Sequence, residues 1–508
     1  MVLSRTASPS RGERSTVAPL LSDGSRDCNV IFRPQWSKAI STGHLVGVLA
    51  SLALMTEPVL SRLNANVVSR VTRELEDVGV HIVIGTFVDN SGVFRAKQVP
   101  ASKVGSFHSP GLGAAPSWAV FAADDLLVLT PAFSVVGDMR LRVDLEAVRN
   151  LGGGVAWAPI ELADQQGEPL AHCARGVLRR HQADLEASGV EALAAFEIEF
   201  TCFDPVTGLV GGGPAYGLGP LLDRSKFLDD VHESFAFAGL KLEQVHAEYG
   251  LGQIELTTEP APPLQAADNY VLARVVLGRI ARAHGVKLSF SPKPLVDGIG
   301  NGAHLHISYT RSGEPLFSGG PGPHGLTSSG GSVIGGLVKW LPESMGVLAP
   351  SLLSSTRLQP GHWSGAFACW GLDNREAALR LCGATPGNPR GANLEIKCID
   401  HSANPYSATA LILGLSRRGM EEALELPDEV SSDPGSMSDG ERALHHIVSI
   451  GADQITNIEA LQSSQVVRDV LGDVLVDAMV AVRGHEAEIA KEETMDALVE
   501  KFRYAWSA

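Results

Sequence analysis

The sequence predicts an α+β protein in two unequal parts, and three observations predict it. Leu63, Val67, Val68, Val71, Leu75 and Val78 fall at helical spacing, so residues 60–78 read as an amphipathic helix. Residues 81–88 then alternate and are rich in β-branched side chains, which reads as a strand. From residue 174 onward, helical stretches alternate with short apolar segments of extended character, and those segments carry the carboxylates.

Taken in order, residues 1 to 35 are rich in Ser and Arg and lack apolar periodicity, so a partly disordered extension is expected over 1–58. Glu13, Asp23 and Asp27 weaken its reading as a transit peptide. Met55 is an alternative start, because ordered patterning begins just after it. Asp89-Asn90-Ser91-Gly92 reads as a turn after the first strand. Further short strands follow, one of them over 119–129, in a small domain spanning 59–170. Gly152-Gly153-Gly154 and the polar stretch 164–169 suggest that boundary. In the remainder, 171–508, helices are expected at 174–188, 224–239 and 265–284. Strands are expected at 194–203, 241–249, 286–291, 302–309 and 394–400, with a mostly helical last hundred residues. There is no internal repeat and no heptad pattern.

Composition narrows the function classes. An apolar fraction of 44% is ordinary for a globular protein with a real core. The net charge of −16 argues against a nucleic-acid partner, since phosphate needs a basic face, and against an anionic membrane surface. The longest clean apolar run, 45–55, is shorter than the roughly 20 residues of a membrane span. Cys28, Cys173, Cys202, Cys369, Cys382 and Cys398 form no CxxC pair, so a reduced, cytoplasmic setting is expected.

The chemistry lies in four places: Glu197-Ile198-Glu199, Glu248 with Glu255, His304-Leu305-His306 and Glu395-Ile396-Lys397. In a strand, residues i and i+2 face the same way, so Glu197 and Glu199 present two carboxylates together, and His304 and His306 two imidazoles. Like charges that close are unfavourable unless cations neutralise them. Mostly oxygen donors with one or two His suit Mg²⁺ or Mn²⁺ better than zinc.

Seven segments in order are AAFEIEFTCFD, HAEYGLGQIEL, FSPKP, GNGAHLHIS, RLQPG, DNREAALR and LEIKCIDHSANPY. Together they resemble the glutamine synthetase superfamily, over most of the chain from about residue 60 and most densely between Phe196 and Tyr406. The resemblance implies a small N-terminal β-grasp domain and a larger catalytic domain on a curved antiparallel sheet. It also implies a ring-shaped homo-oligomer, hexamer or dodecamer, with each active site between two subunits. The implied chemistry is ATP-driven. Phosphorylation of the γ-carboxylate of glutamate gives an acyl phosphate that an amine attacks, with two or three Mg²⁺ or Mn²⁺ ions neutralising charge.

By the same resemblance, Glu199, Glu248 and Glu255 hold the metal nearest glutamate, and Glu197, His304 and Glu395 the metal nearest the ATP phosphates. His306, Ser308, Arg375 and Arg380 contact ATP, Arg375 also serving catalysis. Gly300, Arg357 and Lys397 contact glutamate. Asp89 aligns with the N-terminal-domain aspartate that in glutamine synthetase reaches a neighbouring subunit and takes a proton from the incoming ammonium.

The departures speak to the acceptor. Where family members that use ammonia have a carboxylate closing over the site, this chain has Trp363, in RLQPGHW. An indole packs on carbon or offers its face to a cation, which suits an organic amine. Lys397 replaces a family arginine and loses its fork, Asn393 stands near another, and LELPDE at 424–429 lacks the tyrosine that some relatives adenylylate. The branch this implies is the γ-glutamylamine ligases of amine catabolism, acting on alkylamines, polyamines, ethanolamine or anilines. The His362-Trp363 and Phe367 neighbourhood leans towards an apolar amine, although Phe367 and Trp370 read better as core. The alternatives are an ammonia-using glutamine synthetase and a non-catalytic assembly protein.

Overall fold

The computed structural model describes residues 57–209, 211–451 and 453–508. The extension expected over 1–58, with Met55 and Cys28, therefore lies outside the described residues up to residue 56. The first helix runs Glu57–Asp77, and its apolar stripe buries Val71 and Leu75 with Val67 and Val68 packed beside them. It covers a six-stranded sheet made of β1 (Ile82–Val88), β2 (Phe94–Pro100), β3 (Leu112–Ala114), β4 (Met139–Val143), β5 (Arg149–Asn150) and β6 (Val155–Ala163). The order is β2-β1-β6-β4-β3, with β5 on β6. Val83, Phe87, Leu141, Val143 and Ile160 bury against Val104 and Phe107 to form this core.

The strand expected over 119–129 is absent. Pro116–Val120 forms a 3₁₀ turn, and only a single bridge joins Phe121 to Leu127. Asp125 at the tip adopts a left-handed φ of 65°, so turn chemistry overrides the local apolar run.

The second sheet has eleven strands: β7 (Val190–Asp204), β8 (Gly208–Leu209), β9 (Leu242–Ala247), β10 (Gln253–Thr258), β11 (Lys287–Ser289), β12 (Leu305–Arg311), β13 (Glu314–Pro315), β14 (Phe367–Leu372), β15 (Ala377–Cys382), β16 (Asn393–Ile396) and β17 (Val448–Ser449). Its path is β17-β14-β15-β16-β12-β7-β10-β9, with β11 and β8 on β7 and β13 on β12. The sheet is antiparallel except that β14 and β15 run parallel, a departure from the expected pattern. Their link, residues 373–376, is tied sideways by Asn374 Nδ2 to Val430 O at 2.7 Å and Ser432 O at 3.0 Å.

One face of this sheet is apolar. Helices Ala174–Ala187, Pro263–Ala283, Ser328–Leu348 and Pro405–Glu421 cover it, and Phe196, Ile198, Phe200, Leu305, Ile307, Leu394 and Ile396 point into that core. Phe367 and Trp370 are buried, as core residues should be. The strands expected at 302–309 and 394–400 shorten because Gly302 and Ala303 bond to the 399–400 segment as a bridge and a single hydrogen bond. The C-terminal region is helical as expected, ending in Asp473–Glu492 and Met495–Phe502. Cys173, Cys202, Cys369, Cys382 and Cys398 are free thiols. Among the described residues no helix is long and apolar enough to cross a membrane.

Candidate active site

Register builds the site on the other face of the second sheet. Residues directly opposite across strands point the same way. Glu199 on β7 lies opposite Glu255 on β10, which lies opposite His246 on β9. On the other side, His306 on β12 pairs with Ala195 on β7 and with Glu395 on β16, which pairs with Arg380 on β15. Glu197 stands on β7 between these two rows. Period-2 alternation hides Ile198 and Ile396 in the core while it turns the charges outward.

The result is a cavity of about 930 Å³ lined by Glu197, Glu199, Glu248, Glu255 and Glu395 together with His246, His304, Arg357, Arg375, Arg380 and Lys397. Two clusters hold their ligand atoms within 4.8 Å of one another: Glu197, His304 and Glu395, and His246, Glu248 and Glu255. Glu197 Oε2 lies 2.8 Å from His304 Nδ1, and its Oε1 lies 3.0 Å from His306 Nε2. Glu248 Oε1 lies 2.7 Å from His246 Nε2. Glu199 has one oxygen pinned, by Gly302 N at 2.8 Å and by Gln253 Nε2 at 3.1 Å. Behind it, His401 Nε2 lies 2.7 Å from the Glu199 carbonyl and Tyr270 OH lies 2.6 Å from His401 Nδ1, all buried.

The carboxylates divide by their neighbours. Burial, then the charges of Glu197, Glu199, Glu248 and Glu395, push the Glu255 carboxyl well above the usual range. Glu395 is also buried, yet Lys397 at 2.8 Å and the nearby His306 outweigh that and bring it down to about 2. Glu197 is held well below the usual range, because its hydrogen bonds to His304 and His306 overcome its burial. A directly opposed Glu199–Glu255 pair is an unfavourable cross-strand contact in a bare sheet. Hard oxygen donors with a buried excess of negative charge fit divalent cations, and the two clusters are the residues that would hold them.

Most of the residues singled out in the sequence come together here. Gly300, Arg357, Trp363, Arg375, Arg380 and Lys397 line the cavity with the carboxylates. The Arg357 guanidinium is buried and donates to Lys397 O at 2.8 Å, and lies 3.1 Å from His304 Nε2. Gly300 has no room for a side chain, since a Cβ would lie 2.4 Å from Pro292 O and 2.7 Å from Arg357 Cγ. His306 sits behind Glu197, with Nδ1 2.8 Å from Asn393 Oδ1. Ser308 follows two residues along β12, half-buried and outside the lining.

Asp89 is not brought to the cavity within one chain. Its carboxylate accepts from Ser91 N at 2.9 Å, Val93 N at 3.0 Å and Arg95 Nε at 2.7 Å, and is buried in its own turn. His246, Gln253 and Tyr216 are among the lining residues that the sequence analysis does not single out. His246 was legible, because His246 and Glu248 repeat the i, i+2 pattern that marks Glu197 and Glu199. Gln253, two residues before Glu255, follows the same rule. Tyr216 carries no sequence signal: it stands in a Gly-rich loop at φ 58°, and burial with Glu248 beside it pushes its hydroxyl up to about 12.

A model of the glutamine synthetase catalytic domain matches residues 171–502, and the chain belongs to the glutamine synthetase family. It is an ATP-dependent carbon–nitrogen ligase with the glutamine synthetase fold. Enzymes of this family use ATP and divalent metals. The chain is 36% identical over 446 residues to a gamma-glutamylpolyamine synthetase of Streptomyces coelicolor, covering 85% of this chain and 95% of that one. It is 30% identical to a glutamine synthetase of Pyrococcus abyssi, over 76% of this chain and 86% of that one. Among solved structures, a novel glutamine synthase homolog superimposes with a TM-score of 0.76 at 28% identity, covering 84% of this chain and 99% of that one. An ADP complex of GmaS has the same fold, with a TM-score of 0.73 at 23% identity, over 84% and 97%.

Proposed function

We propose that the protein ligates the γ-carboxyl of glutamate to a primary organic amine, through γ-glutamyl phosphate, and that its acceptor is a polyamine. The observation that carries this reading is Trp363 in the cavity wall. It lines the same cavity as Tyr216, Tyr249 and His362 and as the carboxylates Glu199, Glu248 and Glu255. Aromatic faces and carboxylates together suit a carbon chain bearing a second ammonium group. The Streptomyces relative, by its name a polyamine enzyme, supports a polyamine over the apolar amine that the sequence alone favoured.

In this reading Mg²⁺ or Mn²⁺, held by Glu197, His304 and Glu395 and by Glu199, Glu248, Glu255 and His246, supplies charge neutralisation for phosphoryl transfer. Arg375 and Arg380 flank the transferred phosphoryl group, guanidinium forks being suited to its oxygens. His306 and Ser308 extend the row towards ATP. Gly300, Arg357 and Lys397 hold glutamate. A ring-shaped assembly belongs to this reading and light scattering of the purified protein tests for it; Asp89, buried and paired with Arg95, could serve a neighbouring copy only if its own turn were freed.

The deciding experiment measures phosphate release from ATP with glutamate across ammonium, putrescine, spermine, ethanolamine, isopropylamine and aniline, confirming each amide by mass. Turnover with putrescine or spermine above that with ammonium is expected. Turnover with ammonium alone would make the protein an ammonia-using glutamine synthetase, and silence with every acceptor would move it to the non-catalytic reading.

A further inference from the structure

The loop that carries Trp363 is held from behind by a carboxylate that the reaction itself does not use. Glu376 is buried, 6% exposed, and does not line the cavity. Its Oε1 accepts from Trp363 N at 2.9 Å and its Oε2 accepts from Gly361 N at 3.2 Å. Burying a carboxylate is costly, and backbone N–H donors are one of the few ways to satisfy it. What these two hydrogen bonds hold is an unusual backbone. Trp363 has φ 53° and Gly361 φ 79°, both in the left-handed region. A bulky aromatic residue is a genuine outlier there, and such outliers persist only where the surroundings over-determine them.

The clamp couples two walls of the cavity. Glu376 follows Arg375 directly, and the Arg375 guanidinium lies 5.7 Å from the centre of the Trp363 ring. Asn374 ties the same link to Val430 O and Ser432 O and accepts from Glu376 N at 3.1 Å. Glu376 thus joins the loop over the acceptor end to the segment that carries a phosphate-directed arginine.

We propose that Glu376 is a positioning residue for acceptor selection. It fixes the 361–363 turn so that the Trp363 indole meets the incoming amine. The inference rests on the organic-amine reading above and names the device that sets its selectivity.

Steady-state kinetics of the full-length enzyme test it, with KM for the preferred amine, glutamate and ATP in the wild type, Glu376→Gln, Trp363→Asn and the double variant. Glu376→Gln keeps the shape but replaces one acceptor with a donor. The expected result is an amine KM raised about tenfold, with glutamate and ATP KM within about twofold and kcat within about threefold. Because Glu376 acts through Trp363, the double variant should exceed the larger single effect by no more than about twofold. Gly361→Ala is the second route and leaves Glu376 in place. An added Cβ there meets nothing within 4 Å, so it strains only the left-handed turn, and it too should raise the amine KM alone.

An unchanged amine KM in Glu376→Gln and Gly361→Ala overturns the clamp. So do three KM values rising together, or single effects that multiply in the double variant. If the wild type turns over ammonium alone, the organic-amine reading falls, and the same variants scored on ammonium KM decide the clamp separately.

Discussion

Glu395 shows how one residue serves two purposes. Its carboxylate is buried, receives Lys397 Nζ and Arg380 Nη1, and lies within ligand distance of Glu197 and His304. Glu395→Gln removes the negative charge that the metal and the buried Lys397 both need, so metal-dependent phosphate release should fall by at least about 100-fold. Release at the wild-type rate would remove Glu395 from the metal set. Trp363→Glu tests the acceptor reading. It should raise turnover with ammonium and lower turnover with larger amines, as read from the ratio of the two kcat/KM values. An unchanged ratio would mean that the indole does not face the acceptor. At this scale the sequence was informative wherever chemistry follows a short spacing, as in EIE, HLH and EIK. It was silent on Tyr216 and Glu376, whose roles arise from loops that fold back on the sheet.

Strands place these side chains, and turns hold the strands in position. The Asp89-to-Gly92 turn docks on the 400–404 loop: Asn404 Nδ2 donates to Val88 O at 2.8 Å, and Trp506 Nε1 donates to Ser91 O at 2.8 Å. Gly92, at φ 78°, has Ser402 O only 2.3 Å from where a Cβ would stand. Gly92→Ala should therefore destabilise the fold by about 1–3 kcal/mol, through backbone displacement and a strained φ. Urea unfolding checks this, and a midpoint equal to the wild type would show that the turn can move aside. Element type was legible for long periodic segments such as Pro263–Ala283, because a sustained apolar face has only one partner geometry. It failed over 119–129, where an Asp-rich turn tip interrupts an apolar run, and at strand ends, where pairing partners decide the limit.

Over the whole molecule, the carboxylate cavity links stability to pH. Burial and four neighbouring carboxylates raise the Glu255 pKa on folding. A group raised in this way favours the folded state while protonated. Its contribution is present below the ordinary Glu value of about 4.3 and is lost as pH rises through the raised value. Glu395 has the opposite sign: its contribution is present above the ordinary range and is lost as pH falls towards 2. A divalent cation binds the ionised form of Glu255, so the rise in Tm on adding Mg²⁺ or Mn²⁺ should be larger at about pH 8 than at about pH 5. Equal increments at both values, measured by calorimetry after chelation and re-addition, would argue against metal binding at Glu255.

What the sequence by itself determined was the inventory: a mixture of helices and strands, the strands bearing carboxylates and imidazoles, and an indole where family members that use ammonia keep an acid. The first two follow from periodicity and residue type, which are local properties, and the third is what the resemblance to the family implies. Only the tertiary structure decided the pairing. Cross-strand register set Glu199 against Glu255 and His246, and Arg380 against Glu395 and His306, across residues far apart in the chain. Long-range pairing also brought Glu376 behind Trp363, and left Asp89 enclosed in its own turn. Such contacts depend on which strands become neighbours, and no local spacing encodes that choice.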